Sequence, residues 1–333
     1  TVVGTSWAGK PFTGTVASGS TVRIMTGASM PEGTDSVVMQ EHVERREGII
    51  RFERTAPTAG NVRYPGEDFA AGVTVLRTGK LLRPADLGVL ASMGLAEVRV
   101  FRKLRVAFFS TGDELRTVGE PLAPGDIYDS NRYTLHGMLR RLGVEMLDLG
   151  VIPDSRDAVR KAFHDAAQNA DVVVSTGGVS VGDADYVTEL LAELGTVDFW
   201  KIAMKPGRPL TFGRIKQAHF FGLPGNPVSV MVTFYQFVQP ALRCLRGETA
   251  IAPTRVRVPL ANPIKKQPGR LEFQRGILEV NAAGTLQVGS TGAQGSHVLN
   301  SMSQANCFIV LALECAGVAA GELVEVEPFD ALV

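Results

Sequence analysis

The sequence predicts an α/β protein: a mainly parallel, doubly wound sheet domain flanked by a β-rich N-terminal domain, a small connecting module and a C-terminal all-β domain. Three observations predict it. Residues 104 to about 247 alternate short apolar runs with amphipathic stretches, as strands joined by crossover helices do. Residues 1–72 and 251–333 instead carry short apolar runs separated by Gly-, Pro- and Asp-bearing turns. The run from Pro84 to Gly94 reads as one helix, opened by proline and closed by glycine. The expected domains are therefore 1–72, 73–103, 104–250 and 251–333.

Taken in order, Thr21–Met25 and Ser36–Met39 are short apolar runs, and Pro31–Asp35 is a turn cluster. Glu41–Arg54 reads as a charged hairpin with Gly48 near its tip, and Asn61–Ala71 as a polar loop carrying Arg63, Glu67 and Asp68. Strands near Val73–Leu76 and Ala96–Val100 are expected on either side of the Pro84 helix. Leu104–Phe109 is the first strand of the sheet domain, followed by the turn Ser110-Thr111-Gly112-Asp113-Glu114. Asn131–Leu142 is a helix closed by Gly143, Val144–Ile152 a second strand, and Ser155 caps a helix running to about Asn169. Asp171–Val174 is a β-branched run too short for a helix. It breaks into Ser175-Thr176-Gly177-Gly178 and Ser180-Val181-Gly182 before a helical pattern opens at Asp183. Val197–Ala203, Leu210–Gly213 and Phe220–Leu223 follow as strands. The last leads through Pro224-Gly225-Asn226-Pro227 into a long helix reaching about Leu245. Beyond Ala250, Thr254–Leu260, Leu271–Val280, Thr285–Val288, Cys307–Leu311 and Leu323–Val326 read as strands of a small sandwich or barrel.

Bulk properties exclude several classes. Lysine plus arginine (34) equals aspartate plus glutamate (34) in 333 residues, so nothing argues for nucleic acid or an anionic membrane as partner. No apolar run is long enough to span a bilayer and no secretory signal is visible. Three cysteines without CxxC spacing suit a reduced, cytoplasmic setting, and Cys307, in an apolar run, is expected in the core. The five histidines show no zinc-ligand spacing, Ser110 and Ser175 lie in no G-x-S-x-G elbow, and Gly177-Gly178 is not a dinucleotide fingerprint.

What remains points to a phosphorylated ligand. Ligands of parallel sheets bind outside the carboxyl ends of the strands. The turns at 112–114, 153–154, 176–185 and 224–227 each follow an expected strand, so they should share one rim. Glycines there let backbone N–H groups approach an anion. The acids Asp113, Glu114, Asp154, Asp183 and Asp185 add oxygen ligands for a divalent cation such as Mg²⁺. Capping and turn roles would also account for Asp154 and Asp183. Lys201, Lys205 and Arg208, around a Pro-Gly turn, suit a tetrahedral or phosphoryl anion, although a solvated charged loop has the same composition. The Gly225-Asn226-Pro227 turn could serve a second anion or simply start its helix.

These residues carry a resemblance. STGDEL at 110–115, GDIYDSN at 125–131, STGGVSVGDADY at 175–186, MKPGRP at 204–209 and GLPGNPVS at 222–229 resemble the molybdopterin molybdenumtransferase (MoeA) family, related to the C-terminal region of gephyrin. MTGASMPEG at 25–33, RYPGEDFAAG at 63–72, PGRLEFQRG at 268–276 and GAQGSH at 292–297 extend the match over the whole chain. The resemblance implies an enzyme that takes adenylylated molybdopterin and molybdate, inserts the metal into the dithiolene and releases AMP with a divalent cation assisting. It implies Glu114, Asp154 and Asp185 as Mg²⁺ ligands, with Asp68 and Thr26 also active in catalysis. The implied substrate-binding set is Ser110, Thr111, Gly112, Asp113, Asp129, Ser175, Gly177, Gly178, Ser180, Gly182, Lys201, Lys205, Arg208, Pro224, Gly225, Asn226, Arg275 and Ser296.

It also implies a homodimer in which Thr26 and Asp68 act in the partner's site, with molybdopterin adenylyltransferase-type and downstream cofactor-handling proteins as possible partners. The family carries a further N-terminal segment with a DNSAMDGYA-like motif, and this sequence begins after it. Two rival readings remain open at this point: adenylyl transfer to molybdopterin, which the sheet domain alone could host, and a gephyrin-like scaffold that binds peptides. The constellation of acids and lysines favours catalysis, because a scaffold has no physical need of it.

Overall fold

The computed structural model describes residues 1–52, 56–178, 186–249 and 252–329, and the backbone alone at 199–201. The chain forms two compact units, Thr1–Arg77 and Thr78–Val333.

In the first unit Val2–Ser6 pairs in parallel with Thr21–Ile24, and Val43–Arg46 forms a hairpin with Ile49–Phe52. The hairpin tip is Glu47-Gly48, both at positive φ, the conformation that matches the twist of a two-residue turn. Ser6 is fully buried and its hydroxyl donates to the Ser29 carbonyl at 3.0 Å. Ser36–Met39 is not a strand.

The second unit is built on a six-stranded sheet. Its order is Gly195–Lys201, Pro209–Ile215, Ala218–Leu223, Val172–Thr176, Arg105–Thr111 and Glu145–Ile152. The last four run parallel to one another, and Pro209–Ile215 is antiparallel to both its neighbours. Alternation along Arg105–Thr111 sends Phe108 to one side and Ala107 and Phe109 to the other, each joining a separate core. Both faces are covered, so every apolar side chain of the central strands is worth about 2 kcal/mol in burial. On one side lie helix Ser130–Arg141 and the helical stretch from Pro227 to Leu245, interrupted by a π-turn at Phe234–Val238. On the other lie helices Arg156–Asn169 and Tyr186–Leu194. Ser155 caps the third of these helices through its hydroxyl, which accepts from Ala158 N at 3.4 Å.

Helix Pro84–Ser92 forms as expected. Val73–Leu76 and Ala96–Val100 do not become strands. Among the described residues no strand pairs with them, and β-branched residues without a ladder partner do not hold an extended pairing geometry.

The C-terminal sheet runs Met204–Lys205, Leu271–Val280, Cys307–Leu311, Leu323–Pro328 and Val256–Pro259. Leu286–Ser290 pairs with Leu271–Val280 and touches the far edge through a Leu260–Val288 bridge, so the strands curl toward closure. Val258, Val288, Ile309 and Val326 fill the inside. The opposite side, with Phe273 and Phe308, joins the core under the 227–245 helical stretch. Cys307 is fully buried among the inside residues with Val288 and Ile309, and burial pushes its thiol up to about 12. A helix at Leu299–Gln304 interrupts the all-β pattern. Among the described residues no helix is long and apolar enough to cross a membrane.

Candidate active site

Two groups of side chains gather in the second unit. The first lies at the carboxyl ends of the parallel strands. Ser110 and Thr176 pair in register on adjacent strands, both buried, and their hydroxyls meet at 3.0 Å. Thr111 is buried beside them, and its hydroxyl donates to the Thr176 carbonyl at 3.4 Å. Ser175 is fully buried and its Oγ has no hydrogen-bond partner among the described residues. Gly177 donates its N–H to the Leu223 carbonyl at 3.2 Å, tying this turn to the one that follows.

Two glycines are dictated by space as well as by angle. Gly177 (φ +81°) would bring a Cβ to 2.4 Å from the Thr111 carbonyl oxygen, and Gly178 (φ +62°) would bring one to 2.7 Å from Val187 Cγ2. Any other residue would be strained at both positions.

Acids line the neighbouring turns. Asp113 Oδ1 accepts from Asp154 N at 3.0 Å, which joins the turns at 112–114 and 153–154. The carboxyl of Asp154 is pushed above its usual range, first by burial and then by the Asp113 and Glu114 charges, and its buried Oδ1 has no partner among the described residues. An uncompensated, desolvated carboxylate with two acidic neighbours is an arrangement that a cation would relieve. Asp183, Asp185, Ser180 and Gly182 lie outside the described residues. Among the described residues no three acidic, histidine or cysteine side chains are grouped so as to hold a metal.

Asp129, implied as a substrate-binding residue, is 1% exposed. It caps helix Ser130–Arg141, with Oδ1 accepting from Arg132 N at 3.1 Å, and its other oxygen lies 3.5 Å from Arg132 Nε. Arg132 continues to Asp148 at 3.0 Å. Asn131, which the motif contained but sequence reasoning did not single out, donates from Nδ2 to the Gly225 carbonyl at 2.7 Å. That bond pins the 224–227 turn to the rim. Pro224 is buried, and Gly225 and Asn226 are exposed.

The second group lines a recess of about 340 Å³ in which residues 204–209, Asn226 and Ser229 face Arg270 and residues 294–296. Its lining includes Lys205, Arg208, Arg270, Asn226, Ser229 and Ser296, and no acid. Asn226 stands at the start of its helix without a side-chain capping bond, so its amide is not committed there. Val228 N donates to the Ser296 carbonyl at 3.1 Å, holding the two lips together.

Lys205 belongs to the C-terminal sheet and not to the central one. The preceding central strand ends at Lys201, of which the backbone alone is described. Met204–Lys205 instead adds in parallel to Leu271–Glu272 of the other sheet. Lys205 Nζ meets Glu272 Oε1 at 3.2 Å, and Glu272, buried, also accepts from Gln274 Nε2 at 3.1 Å.

Arg275 is 1% exposed and does not line the recess. Its guanidinium donates to Ser301 Oγ (3.0 Å) and to the carbonyls of Ala293 (3.3 Å) and Gly295 (3.1 Å), while its N–H meets Gln294 Oε1 at 2.8 Å. Burial lowers its pKa to about 10. It thereby fixes the loop that carries Gln294 and Ser296 into the recess. In the first unit, Thr26 lies exposed in the Met25–Ala28 turn and Asp68 is exposed in the loop that follows Tyr64.

These features define a class: a doubly wound α/β protein with a glycine-lined acidic rim, beside a recess built of cations and neutral donors. Comparison with known proteins narrows it. The family described as "Probable molybdopterin binding domain" matches residues 107–244, "MoeA N-terminal region (domain I and II)" matches 2–94, and "MoeA C-terminal region (domain IV)" matches 257–329. The chain is 48% identical over 334 residues to a molybdopterin molybdenumtransferase of Haemophilus influenzae, covering 100% of this chain and 83% of that protein. It is 35% identical to a Dictyostelium discoideum gephyrin over 91% of this chain and 47% of that one. A Pyrococcus horikoshii molybdopterin biosynthesis MoeA protein superposes with a TM-score of 0.81 at 30% identity, covering 98% of this chain and 80% of the other. The chain belongs to the molybdopterin molybdenumtransferase family.

Proposed function

We propose that this protein is a molybdopterin molybdenumtransferase, an enzyme that inserts molybdate into adenylylated molybdopterin and releases AMP. The observation that carries the reading is the pairing of two chemically opposite sites that share one turn. Asn131 ties the 224–227 turn to the acidic rim, and Asn226 of the same turn lines the cationic recess. An adenylyltransferase would need the rim alone, so the recess favours the insertion reaction over that rival.

Each part has a task. In the recess, Lys205 and Arg208 would hold the molybdate dianion by charge, and Asn226, Ser229 and Ser296 would orient its oxygens by neutral hydrogen bonds. At the rim, the bare backbone of Gly177 and Gly178 would admit the phosphate linkage of the adenylylated pterin. The buried hydroxyls of Ser110, Thr176 and Ser175 would meet polar atoms of the same ligand.

Mg²⁺ fits the acidic turns, because the donors are all oxygen and Asp154 has a buried, unpartnered oxygen. Asp154 and Glu114, with Asp185, would hold it, and it would supply positive charge to the phosphoanhydride as that bond opens. Free thiols suit a cytoplasmic setting. The reading extends to a homodimer in which Thr26 and Asp68 of one subunit serve the site of the other.

The test is an assay of AMP release from adenylylated molybdopterin with Mg²⁺, with and without molybdate. Molybdate-dependent release with metal appearing on the pterin supports the reading. Release that is indifferent to molybdate, or adenylylation of free molybdopterin from ATP, overturns it.

A further inference from the structure

One guanidinium holds the acidic turn at 112–115 by its backbone. Arg116 Nη1 donates to the Asp113 carbonyl at 2.7 Å and to the Leu115 carbonyl at 2.9 Å, and Nη2 pairs with Asp126 Oδ1 at 2.9 Å. The Asp126 side chain is nine-tenths buried, and its other oxygen accepts from Ala123 N at 2.9 Å. Beside this clasp Leu115–Arg116 pairs in parallel with Ile127–Tyr128, so the turn and the end of the following loop are fastened together.

The clasp reaches the acids on both sides of the rim. The Asp113 carbonyl is held by Arg116 while the Asp113 carboxylate accepts from Asp154 N at 3.0 Å, so one side chain steadies both acidic turns. Glu114 is placed by the same turn: its carboxylate lies against Gly112, where a Cβ would stand 2.6 Å from Oε2. The guanidinium takes carbonyls rather than these carboxylates, and its charge is matched by Asp126. It therefore orders the acids without neutralising them.

We propose that Arg116 is a positioning residue for the divalent cation, fixing the backbone from which Asp113, Glu114 and Asp154 project, with Asp126 compensating its charge. This rests on the reading of the acidic rim as the Mg²⁺ site. Mg²⁺ tolerates little departure from its preferred geometry, so a turn that loses its anchor loses affinity for the ion. Charge alone predicts the opposite sign: deleting a cation beside three acids should strengthen cation binding. The direction of the effect therefore separates positioning from simple electrostatics.

The test is titration of Mn²⁺, an oxygen-preferring stand-in for Mg²⁺, with the free ion read by electron paramagnetic resonance. The unsubstituted protein is compared with Arg116→Met, Arg116→Lys and Asp126→Asn, and with Asp154→Asn as the control for the site. Arg116→Met should bind Mn²⁺ about tenfold more weakly, and Arg116→Lys, which keeps one donor group, should recover part of the loss. Asp126→Asn leaves the guanidinium charge unmatched, so its deficit should shrink as salt is raised. In the AMP-release assay, Arg116→Met should raise the Mg²⁺ concentration needed for half-maximal rate while turnover at saturating Mg²⁺ is retained, a split that general damage to the fold would not give. Equal or tighter Mn²⁺ binding in Arg116→Met, with binding weakened in Asp154→Asn, would overturn the role of Arg116 and leave the rim as the metal site. Mn²⁺ binding that is absent from the unsubstituted protein, or indifferent to Asp154→Asn, would overturn the reading of the rim and this assignment with it.

Discussion

The acidic rim and the cationic recess are built by opposite means. The rim is assembled from turns that follow four parallel, adjacent strands, so topology alone brings Gly112–Glu114, Asp154, Gly177 and Pro224 to one edge. The recess depends on contacts across distant parts of the chain. A two-residue strand pairs with the C-terminal sheet, and a buried arginine holds a loop by its carbonyls. Among the described residues the rim leaves a buried Asp154 oxygen without a partner, and Arg208 and Arg270 of the recess make no side-chain hydrogen bond or ion pair. Each therefore keeps in reserve the charge opposite to what it would bind. If so, damage to one should leave ligand binding at the other intact.

The largest effect is expected from Asp154→Asn. Turnover of AMP release should fall about a hundredfold or more, because the substitution removes a charge aimed at the reacting linkage. The fold should persist, since Asp154 is only half-buried and its buried Oδ1 has no hydrogen-bond partner among the described residues. Gly177→Ala comes next. With a Cβ 2.4 Å from the Thr111 carbonyl, the rim must shift, so activity should be lost together with about 2 kcal/mol of stability by denaturant unfolding. Retained activity would mean that the close approach of the backbone is not needed.

Arg275→Met sharpens the other half of the comparison. It removes the donors that fix the 293–295 carbonyls, so the KM for molybdate should rise several-fold while adenylylated pterin binding is unchanged. A fall in turnover with unaltered KM would instead place Arg275 against the reacting atoms.

The smallest effect is expected far from both sites. Arg102 holds the Asp171 carboxyl down to about 2 from 3.8. A depressed carboxylate adds stability that is fully present above its unfolded value and is lost as pH falls through its folded one. That contribution, about 1 kcal/mol once screening at the exposed Arg102 is allowed for, should fade between pH 4 and pH 2. Arg102→Gln should accordingly be less stable at pH 7 and equal to the unsubstituted protein near pH 2.

The contrast between the regions also explains what could be read from sequence. Strands such as Leu271–Val280 and Cys307–Leu311, and the Ser155 cap, stand in the structure at the places their patterns indicated, because period and capping chemistry are local signals. Ala96–Val100 has strand-like residues and no pairing partner among the described residues, and pairing is decided elsewhere in the chain. The helix at Leu299–Gln304 is too short for a periodic signal. At the site, the glycine turns and acids were legible as motifs. The pairing of Lys205 with Glu272 and the commitment of Arg275 to a loop were not, since single polar residues acquire partners only when distant segments meet. Asn131 was visible only as part of a motif, and its bond to Gly225 spans 94 residues.

The most direct test of the two-site account is a side-by-side molybdate titration of Asp154→Asn and Lys205→Ala against the unsubstituted protein. The account predicts unchanged affinity in Asp154→Asn and about tenfold weaker binding in Lys205→Ala. Weakened binding in Asp154→Asn with full binding in Lys205→Ala would contradict it.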